Sequence, residues 1–414
     1  MTAASVPDPV ADWAASGIAA LTGTPDGPPL APPGRAATVA RELGERIAAI
    51  TSGTRSPVRL DGARLLAERA ALTGHRRQGD VSAGRSCRLL PTADGWAAVS
   101  CARPDDPLLL GALVERALAE DPWADVTTWV REHTGEELAD RAELIGVAAA
   151  PVWSRTAPVP VPLADRPVDG LLVVDFSALW AGPLCASVLG MAGARVVKVE
   201  IPQRLDGARR GNPDFYRLLH AAHRSVVLDP TTSVGRTAMA ALVEAADIVI
   251  EASRPRALAG FGLDAAEAVA AGTTWISITA AGRGSGRVGF GDDVAAGAGL
   301  VAWTDAGTPV FVGDAVADPL TGLTAAVLAM SAPADGSGTL WDVAMTDVVA
   351  ATLPEVPLTP SPAARRDAGR WVLDTPDGLL PVAAPRRREP PAGEVAAPGA
   401  HTREVLREIG IPVP

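Results

Sequence analysis

The sequence predicts an α/β protein in two parts: a doubly wound, Rossmann-like parallel sheet and a smaller α+β domain. Three observations predict this class. Short apolar runs alternate with helix-like segments in the second half, a hairpin pattern lies among helical segments in the first half, and a proline-rich stretch separates the halves. With 414 residues, of which 48% are apolar, the chain is long enough to bury two or three cores.

Helical segments open the first part. Residues 12–72 read as helices, and the Pro- and Gly-rich stretch 22–34 must interrupt them because neither residue type continues a helix. Residues 38–50 have apolar side chains at helical spacing and predict an amphipathic helix. Residues 86–101 alternate in the manner of a hairpin, with a turn at residues 93–95. Further helical stretches follow at residues 108–120 and 126–146.

The parallel sheet is predicted from five short runs in the second half. Runs without polar alternation, with helices between them, are typical of strands covered on both faces. They occupy residues 171–176, 194–200, 225–229, 247–252 and 275–282. We expect the ligand beyond the carboxyl ends of these strands. No GxGxxG or GxxxxGK[ST] motif follows any of them, which disfavours a dinucleotide dehydrogenase and a P-loop enzyme.

The proline-rich stretch predicts a domain boundary, because such segments form extended linkers. Four segments follow from it: a small α+β domain at residues 1–154, a linker at 155–165, a Rossmann-like domain at 166–350, and a C-terminal extension with a closing helix at 351–414.

Charge and cysteine content narrow the class of partners. The chain carries 37 basic and 48 acidic residues, a net charge of −11, so we expect no nucleic acid partner, and the basic run 386–388 should be a solvated loop. No apolar run reaches membrane-spanning length, and the N-terminus lacks the pattern of a signal peptide. Cys87, Cys101 and Cys185 have no metal-type spacing and are too few for a disulfide framework. These features predict a cytoplasmic protein without membrane contact or metal site.

One carboxylate, Asp318, stands just before a helix-like apolar run that ends at Met330. It can be an N-cap, because carboxylate oxygens accept the unpaired N–H groups of a first helical turn. The position also suits a nucleophile, because the small residues around Gly322 leave room for backbone donors to an oxyanion. Asp314 is the nearest competitor for that role.

Two segments of the chain are similar to each other. Residues 16–50 and 298–330 share the order of their features: a small residue and a glycine, a threonine turn, a proline-containing loop and a helix. In the first copy the position of Asp318 falls near Ala37 or Thr38, where there is no acid. This pattern indicates a decayed duplication, although shared composition would also produce it.

Five strings carry a resemblance to a known family. They are RPVDGLLVVDFSALWAGPLCASVLGMAGARVVKVEIP, HRSVVLD, ADIVIEASRP, ISITAAGRGSG and, near the C-terminus, APGAHTREVLREIGI. In this order they resemble the signatures of the family III CoA-transferases, the CaiB/BaiF-like group that includes formyl-CoA transferase and carnitine CoA-transferase. The resemblance covers roughly residues 160–350 and the C-terminal segment.

The first part resembles the small domain of the same family, but out of order. TADGW (residues 92–96), WVREHTGEEL and a helix followed by GVAAAPV look like this domain, which normally follows the nucleophile region. The resemblance implies a fused or permuted arrangement, in which one chain supplies what two interlinked subunits supply in the family. A monomer and a homodimer are both left open.

The resemblance implies a coenzyme A (CoA) transferase that acts on an acyl-CoA and a carboxylic acid and holds no tightly bound cofactor. In the family an aspartate four residues before a glycine attacks the thioester, and Asp318 with Gly322 fits that spacing. An aspartyl anhydride and then an aspartyl-CoA thioester would form. The family's CoA contacts carry over to Trp180, Ala181, Leu228, Ala252, Ser253, Arg254 and Asp293.

Arg254 has the clearest chemistry among these contacts, because a guanidinium pairs bidentately with a phosphate. Its alternative role is an ion pair with Glu251. Ala252 and Ser253 stand where the family often has Asn-Phe, which puts the shape of the adenine pocket in doubt.

Two other functions stay open. The α-methylacyl-CoA racemases, a branch of the same fold, need a His-Asp pair, and Asp292 stands where their histidine would fall. His220 and His223 lie elsewhere and are expected to be surface or capping residues. A non-catalytic CoA-binding homologue is the second alternative, because a proline-rich segment after Val349 replaces a longer body in the family.

Overall fold

The computed structural model describes residues 9–119, 121–153, 156–158, 160–252, 255–354, 360–375 and 377–411. Its α-helices are α1 (Pro9–Ser16), α2 (Ala36–Thr51), α3 (Gly62–Leu65), α4 (Glu68–Thr73), α5 (Asp106–Leu113), α6 (Trp123–Glu132), α7 (Gly135–Ile145), α8 (Ala181–Met191), α9 (Pro213–His220), α10 (Ser233–Glu244), α11 (Pro255–Ala259), α12 (Ala265–Ala270), α13 (Gly291–Gly297), α14 (Ala317–Ala329), α15 (Met345–Ala350) and α16 (Thr402–Glu408). Short 3-10 helices lie at Ala19–Leu21 and Gly207–Arg210.

The β-strands are β1 (Cys87–Pro91), β2 (Trp96–Ser100), β3 (Ala149–Pro151), β4 (Ala164–Asp165), β5 (Leu172–Asp175), β6 (Arg195–Glu200), β7 (Arg224–Val227), β8 (Ile248–Glu251), β9 (Thr274–Thr279), β10 (Val301–Trp303), β11 (Pro309–Phe311), β12 (Ser331–Ala332), β13 (Thr339–Ala344), β14 (Arg365–Asp367), β15 (Arg370–Thr375) and β16 (Gly378–Pro381). None of the helices in the described residues is both long enough and apolar enough to span a membrane.

A six-stranded parallel sheet forms the centre of the second part, in the order β7-β6-β5-β8-β9-β13. The chain runs outward from β5 to β7, returns to β8 beside β5, and runs outward again to β13, which is the strand order of a Rossmann fold. The order reverses between β5 and β8, so the carboxyl ends of these strands flank the crevice where such sheets bind ligands. The predicted fold class is confirmed, and all five predicted runs lie in this sheet.

Helices cover both faces of this sheet because its strands are apolar on both. Val173 and Ile250 belong to a core that includes residues of α8 and α14. Their neighbours Val174 and Val249 point to the opposite face and belong to a core with α10 and α16. Consecutive residues of one strand therefore serve two cores, as in a doubly wound fold.

The sixth strand, β13, was not predicted. It lies at the edge of the sheet, and four of its six residues alternate between half-buried and exposed. Because the first four residues of TLWDVA alternate in burial, the strand does not open with the apolar run that marks β5 and β8.

The hairpin predicted at residues 86–101 is confirmed as β1 and β2, and β3 pairs with β2 to complete a three-stranded antiparallel sheet. Helices α5, α6 and α7 share a core with one face of this sheet. On the other face, Leu89 and Ala98 pack with Val301 and Phe311 of the β10–β11 hairpin. The small sheet therefore lies between its own helices and the segment that leads to Asp318.

Two predicted helices of this region differ from the observed ones. The helix predicted at residues 108–120 ends at Leu113. The stretch 126–146 forms two helices, because Thr134 starts α7 with a capping box in which Thr134 and Glu137 satisfy each other's backbone N–H groups.

The N-terminal helices pack with the second part of the chain. Trp13 and Leu66 share one core with Leu184 of α8 and Leu320 of α14. Helix α2 contacts α14, and these are the helices of the two similar segments. The duplication itself and the division into domains at the linker 155–165 stay predictions, but apolar side chains from both sides of that linker pack in one core.

The C-terminal segment contacts both the first and the second part of the chain. Arg388 Nη1 donates to Glu68 Oε1 of α4 at 2.8 Å, and its Nη2 donates to the carbonyl of Leu218 at 2.9 Å. The Arg388 side chain is 13% exposed, so the expectation of a solvated loop is wrong for this residue. The fully buried carboxyl of Glu68 explains the difference, because it needs a cationic partner.

Candidate active site

The first turn of α14 presents Asp318. The residues on either side of it are buried, whereas the Asp318 side chain is partly exposed. Val316 occupies the N-cap position, and within the described residues the Asp318 carboxylate makes no hydrogen bond to the N–H groups of this turn. The capping role left open by the sequence is therefore not observed.

Asp318 faces the start of α13. The backbone N–H of Gly291 lies next to the Asp318 carboxylate and acts to lower the pKa of that carboxyl. A side-chain carbon at residue 291 would overlap Asp318 Oδ2 and would lie 2.6 Å from both Cβ and O of Ala315. Only glycine fits this close approach. A backbone N–H next to a carboxylate is the kind of donor that stabilises a carboxylate or an oxyanion.

Two further aspartates follow Gly291 and are buried. Asp292 Oδ1 accepts from the Ala315 N–H at 2.8 Å, and Asp293 Oδ1 accepts from the Ser100 hydroxyl at 2.8 Å. Burial raises the pKa of Asp292 to about 6 and the pKa of Asp293 to about 7. Both acids are therefore held by hydrogen bonds inside the protein.

The pKa of Asp318 is raised to about 7. Burial is the main cause, and Asp292 and Asp314 add to it, while Arg69 and the Gly291 N–H oppose it. A carboxylate with this pKa is ionised in a large fraction of molecules at neutral pH and is more basic than an ordinary aspartate. Despite the nearby acids, no group of three His, Cys, Asp or Glu residues in the described ranges is arranged to hold a metal ion.

A cation reaches this cluster from α4. Arg69 forms a two-point ion pair with Asp314, in which Nε donates to Oδ2 at 2.9 Å and Nη2 donates to Oδ1 at 2.5 Å. His75 Nδ1 lies 3.2 Å from both oxygens of the same carboxylate. Burial alone would raise the pKa of Asp314, but Arg69 and His75 hold it well below its usual range. Asp314 is therefore a fixed anion, tied to two partners.

Arg69 connects the acids with the turn after β5. Its guanidinium lies 4.9 Å from the centre of the Trp180 ring, which is a cation–π arrangement. It interacts electrostatically with Asp292 and Asp318, but no ion pair joins it to Asp318 in the part of the chain that the structure describes. The side chains of Arg69 and His75 are 25% and 27% exposed. An accessible guanidinium thus lies near the candidate nucleophile without touching it.

Sequence reasoning missed Arg69 and His75. They are 245 and 239 positions away from Asp314, and the stretch ERAALTGH contains no motif that predicts this contact. A buried aspartate needs a counter-charge, but that requirement does not say which basic residue supplies it.

Close packing of α8 on α14 brings Asp318 to the predicted CoA turn. A side-chain carbon at Gly322 would lie 2.7 Å from the carbonyl oxygen of Ala181 and 3.0 Å from Leu184 Cβ. Glycine at this position therefore allows the two helices to touch. The Asp318–Gly322 spacing has a structural reason: the glycine holds the helix of the acid against the turn that contains Trp180.

Several predicted CoA contacts meet at the carboxyl edge of the sheet. Trp180 and Ala181 follow β5, Leu228 follows β7, and Ala252 follows β8. Ala252 Cβ lies 3.5 Å from where a side chain on Gly182 would begin, so it adjoins the start of α8. The turn after β5 and Ala252 therefore flank the crevice between β5 and β8, and their contact with CoA stays a prediction.

These side chains are covered in the structure. Trp180 is 1% exposed, Ala181 4% and Leu228 3%. The Trp180 ring has Arg69 over it and the Phe215 ring at its edge, with 5.1 Å between the ring centroids. The N-terminal helix α4 thus covers part of the turn to which CoA is predicted to bind.

Asp293, also a predicted CoA contact, is 1% exposed and accepts a hydrogen bond from the Phe290 N–H at 2.9 Å as well as from Ser100. It lies in the first turn of α13 and does not face solvent. By contrast, Leu179 in the turn after β5 is 44% exposed, and sequence reasoning did not select it. A contact between Asp293 and CoA stays a prediction and requires this corner to open.

Ser253 and Arg254, the remaining predicted CoA contacts, lie outside the described residues. The alternative role predicted for Arg254 is an ion pair with Glu251. The Glu251 carboxylate is ion-paired with Arg283 and accepts from the Ser277 hydroxyl at 2.7 Å. Glu251 therefore has partners of its own, and the phosphate role of Arg254 stays a prediction.

Part of the chain is similar to a known protein family. Residues 168–371 match the model of CoA-transferase family III. Over this segment, the chain is similar to the family III CoA-transferases. It is 30% identical over 218 residues to a succinyl-CoA--D-citramalate CoA-transferase of Chloroflexus aurantiacus, which is 47% of this chain and 54% of that protein. It is 31% identical over 217 residues to a succinate--glutarate CoA-transferase of Agrobacterium fabrum, again 47% and 54% of the two chains.

Among solved structures, a CaiB/BaiF family protein from Brucella suis is 28% identical, covering 52% of this chain and 65% of that one, with a TM-score of 0.44. The chain spans about half the length of the two curated relatives above, at 54% of each.

The family III segment contains only part of the candidate site. Asp318, Gly291 and Trp180 lie within residues 168–371, but Arg69 and His75 lie outside them. The candidate site is therefore built from the matched segment and from an N-terminal helix that lies outside the match.

A buried polar cluster supports the turn after β5. Lys198 Nζ donates to the carbonyl of Ser177 at 2.7 Å and lies 3.0 Å from Asp206 Oδ2. Asp206 Oδ1 accepts from the Leu179 N–H at 3.0 Å. These contacts hold Leu179 at a φ of 71°, a left-handed conformation that costs a non-glycine residue free energy.

His220 and His223 lie close to this cluster and are 2% and 7% exposed, so the expectation of surface or capping positions is wrong. Helix α9 is amphipathic and packs on α8, which buries its last turn. Burial, with the charge of Lys198, lowers the pKa of His223 to about 3 and that of His220 well below its usual value. Both imidazoles are therefore neutral and enclosed.

Proposed function

We propose that this protein transfers CoA from an acyl-CoA thioester to a carboxylic acid, with Asp318 as the nucleophile. The position of Asp318 carries the proposal. Its carboxylate does not cap the helix, is partly exposed and lies beside the Gly291 N–H, where α8 packs on α14. The family match and the relatives named as CoA-transferases support the same class of reaction.

The reaction begins with Asp318 ionised. One carboxylate oxygen attacks the carbonyl carbon of the thioester, the C–S bond breaks, and CoA leaves as a thiolate, so that Asp318 and the acyl group form a mixed anhydride. The thiolate then attacks the Asp318 carbonyl carbon, and the acyl group leaves as a carboxylate. Asp318 now holds CoA as a thioester, and an acceptor acid reverses the two steps. Neither step changes the number of protons or electrons.

Each attack produces a tetrahedral oxyanion that needs a donor. The Gly291 N–H lies next to the Asp318 carboxylate and would stabilise negative charge on the oxygen that stays with Asp318. Because this donor is a backbone group held by α13, it needs little reorganisation when the charge develops.

The other aspartates are less suited to attack. Asp314 is ion-paired at both oxygens with Arg69, which lowers its pKa and its basicity. Asp292 and Asp293 are 7% and 1% exposed and hold backbone or hydroxyl donors. Asp318 combines partial exposure with a raised pKa, so it is the carboxylate that a thioester can reach.

One observation favours a second candidate, a homologue that does not turn over acyl-CoA. Trp180, Ala181 and Leu228, predicted to contact CoA, are covered, and α4 contributes to the cover. Racemase-like chemistry is supported less, because Asp292 stands where the racemase histidine would fall.

Exchange kinetics separate the two candidates. In Asp318→Ala, CoA exchange between succinyl-CoA and a panel of carboxylates should fall below about a thousandth of the wild-type rate, because the nucleophile is gone. CoA binding, measured by calorimetry, should be unchanged. Asp335→Asn removes an exposed turn aspartate and serves as the matched control. Retained exchange in Asp318→Ala contradicts the assignment, and CoA binding without exchange in the wild type favours the non-catalytic candidate.

A further inference from the structure

Arg69 has hydrogen-bonding capacity that the protein does not use. Its Nε and Nη2 donate to Asp314, whereas Nη1 forms no hydrogen bond among the residues that the structure describes. The side chain is 25% exposed. A guanidinium that is held at two nitrogens and free at the third can accept one more anionic partner without giving up the first.

The charges around Asp318 show why such a partner would need Arg69. Asp292, Asp314 and Asp318 all act electrostatically on Arg69, and Asp314 contacts it directly. A carboxylate substrate that approached Asp318 without a counter-charge would be repelled by these acids. Arg69 is close enough to Asp318 to influence its pKa, yet it forms no ion pair with it within the described part of the chain.

The guanidinium is also held in place before any ligand arrives. The bidentate pair with Asp314 fixes its plane, and the Trp180 ring lies 4.9 Å from it. Its neighbour Glu68 is fully buried and bound to Arg388, which anchors α4 to the C-terminal segment. A docking group that is already ordered loses little entropy on binding.

From these observations we propose that Arg69, supplied by α4 outside the family III segment, docks the carboxylate of the acid substrate beside Asp318. This proposal rests on the proposed function, which identifies the substrate as a carboxylic acid. A docked carboxylate oxygen then attacks the carbonyl carbon of the Asp318–CoA thioester, CoA leaves as a thiolate, and the mixed anhydride forms. Arg69 positions and neutralises the attacking acid and exchanges no atoms with it.

The variants must separate docking from a structural role, because Arg69→Gln alone leaves Asp314 buried without its partner. The double variant Arg69→Gln with Asp314→Asn replaces the ion pair by a neutral pair that can still form hydrogen bonds. Arg35→Gln is the matched control, because Arg35 is an arginine paired with Glu42 on the surface, 49% exposed. Urea denaturation confirms that each variant folds.

The measurement is binding of succinate and of acetate to the CoA-saturated protein by calorimetry, together with the KM for succinate in the exchange assay. The double variant should bind both acids about tenfold to a hundredfold more weakly than the wild type, because one charge-assisted hydrogen bond is lost. Because Arg69 also lies over Trp180, the affinity for CoA and the KM for the acyl-CoA are measured as well, and each should change by less than the affinity for the acids. Arg35→Gln should match the wild type.

Two results overturn the proposal: acid binding by the double variant equal to that of the wild type, or no binding of either acid by the wild type. The outcome is distinguishable from failure of the proposed function. Acid binding that depends on Arg69 without any CoA exchange removes the transferase but keeps the docking site. Exchange with an unchanged KM for succinate in the double variant keeps the transferase and removes the docking site.

Discussion

Gly291 is the residue whose substitution tests the geometry around Asp318 most narrowly. In Gly291→Ala, the added carbon would overlap Asp318 Oδ2 and would lie 2.6 Å from the carbonyl oxygen of Ala315. The Asp318 side chain can turn away, but the backbone at Ala315 cannot do so cheaply. Ala315 already has a φ of 51°, which is unfavourable for a residue with a side chain.

The size of the effect follows from two opposing contributions. Overpacking a close-packed site costs about 1–3 kcal/mol. Alanine gains at most about 1 kcal/mol over glycine in a helix interior, and residue 291 is the first residue of α13, where the gain is smaller. The clash should therefore dominate, and we expect the free energy of unfolding to fall by about 1–2 kcal/mol. A shift of the Asp318 carboxylate by about 1 Å should lower kcat about a hundredfold.

Urea denaturation and the succinyl-CoA exchange assay measure the two effects separately. Gly284→Ala is the control, because a side-chain carbon there would meet no atom within 4 Å and its φ is not in the left-handed region. This control should be as stable and as active as the wild type. A Gly291→Ala protein with wild-type kcat would refute the reasoning that Asp318 must occupy its observed position.

Two further predictions concern the ionisation of Asp318 and the anchor of α4. Because Asp318 must be ionised to attack, kcat/KM should fall as the pH is lowered through about 7. Asp292→Asn should move this fall to lower pH, because it removes a charge that raises the pKa of Asp318. An identical pH profile in both proteins would contradict the assignment. Arg388→Ala should lower the free energy of unfolding by about 3–5 kcal/mol in urea, because it leaves Glu68 buried and unpaired. Arg46→Ala, which breaks a half-exposed pair, should cost less than about 1 kcal/mol, and equal costs would show that burial does not matter here.

The central sheet could be predicted because each central strand has a local signature. Val173 and Val174 are neighbours that point to opposite cores, so a strand buried on both faces must be apolar at consecutive positions. The edge strand β13 does not show that signature over its first four residues, which alternate between half-buried and exposed. The other edge strand, β7, could be predicted because its two middle residues are both buried.

In the candidate site, features that depend on neighbouring residues could be predicted, and contacts between distant residues could not. The spacing of Asp318 and Gly322 is local, and the structure gives it a reason in the contact between α14 and α8. Arg69 and His75 reach Asp314 across more than two hundred positions, and a single sequence contains no record of that contact. The sequence therefore pointed to Asp318 and Asp314 but not to the cations that pair with Asp314.

The two histidines show a further limit of local patterns. His220 and His223 stand in a stretch that enters a strand in the resembled family, which suggested surface or capping positions. Their burial depends on α8 and on the cluster around Lys198, which are assembled from distant parts of the chain. Residue type and position in a helix do not reveal such packing.

Intact-protein mass spectrometry after incubation with a panel of acyl-CoA thioesters tests the nucleophile most directly. Transferase chemistry through Asp318 predicts a CoA-sized adduct that hydroxylamine removes, that maps to the peptide containing Asp318, and that is absent in Asp318→Asn. An adduct on another residue, or no adduct with any thioester in a protein that binds CoA, would contradict it.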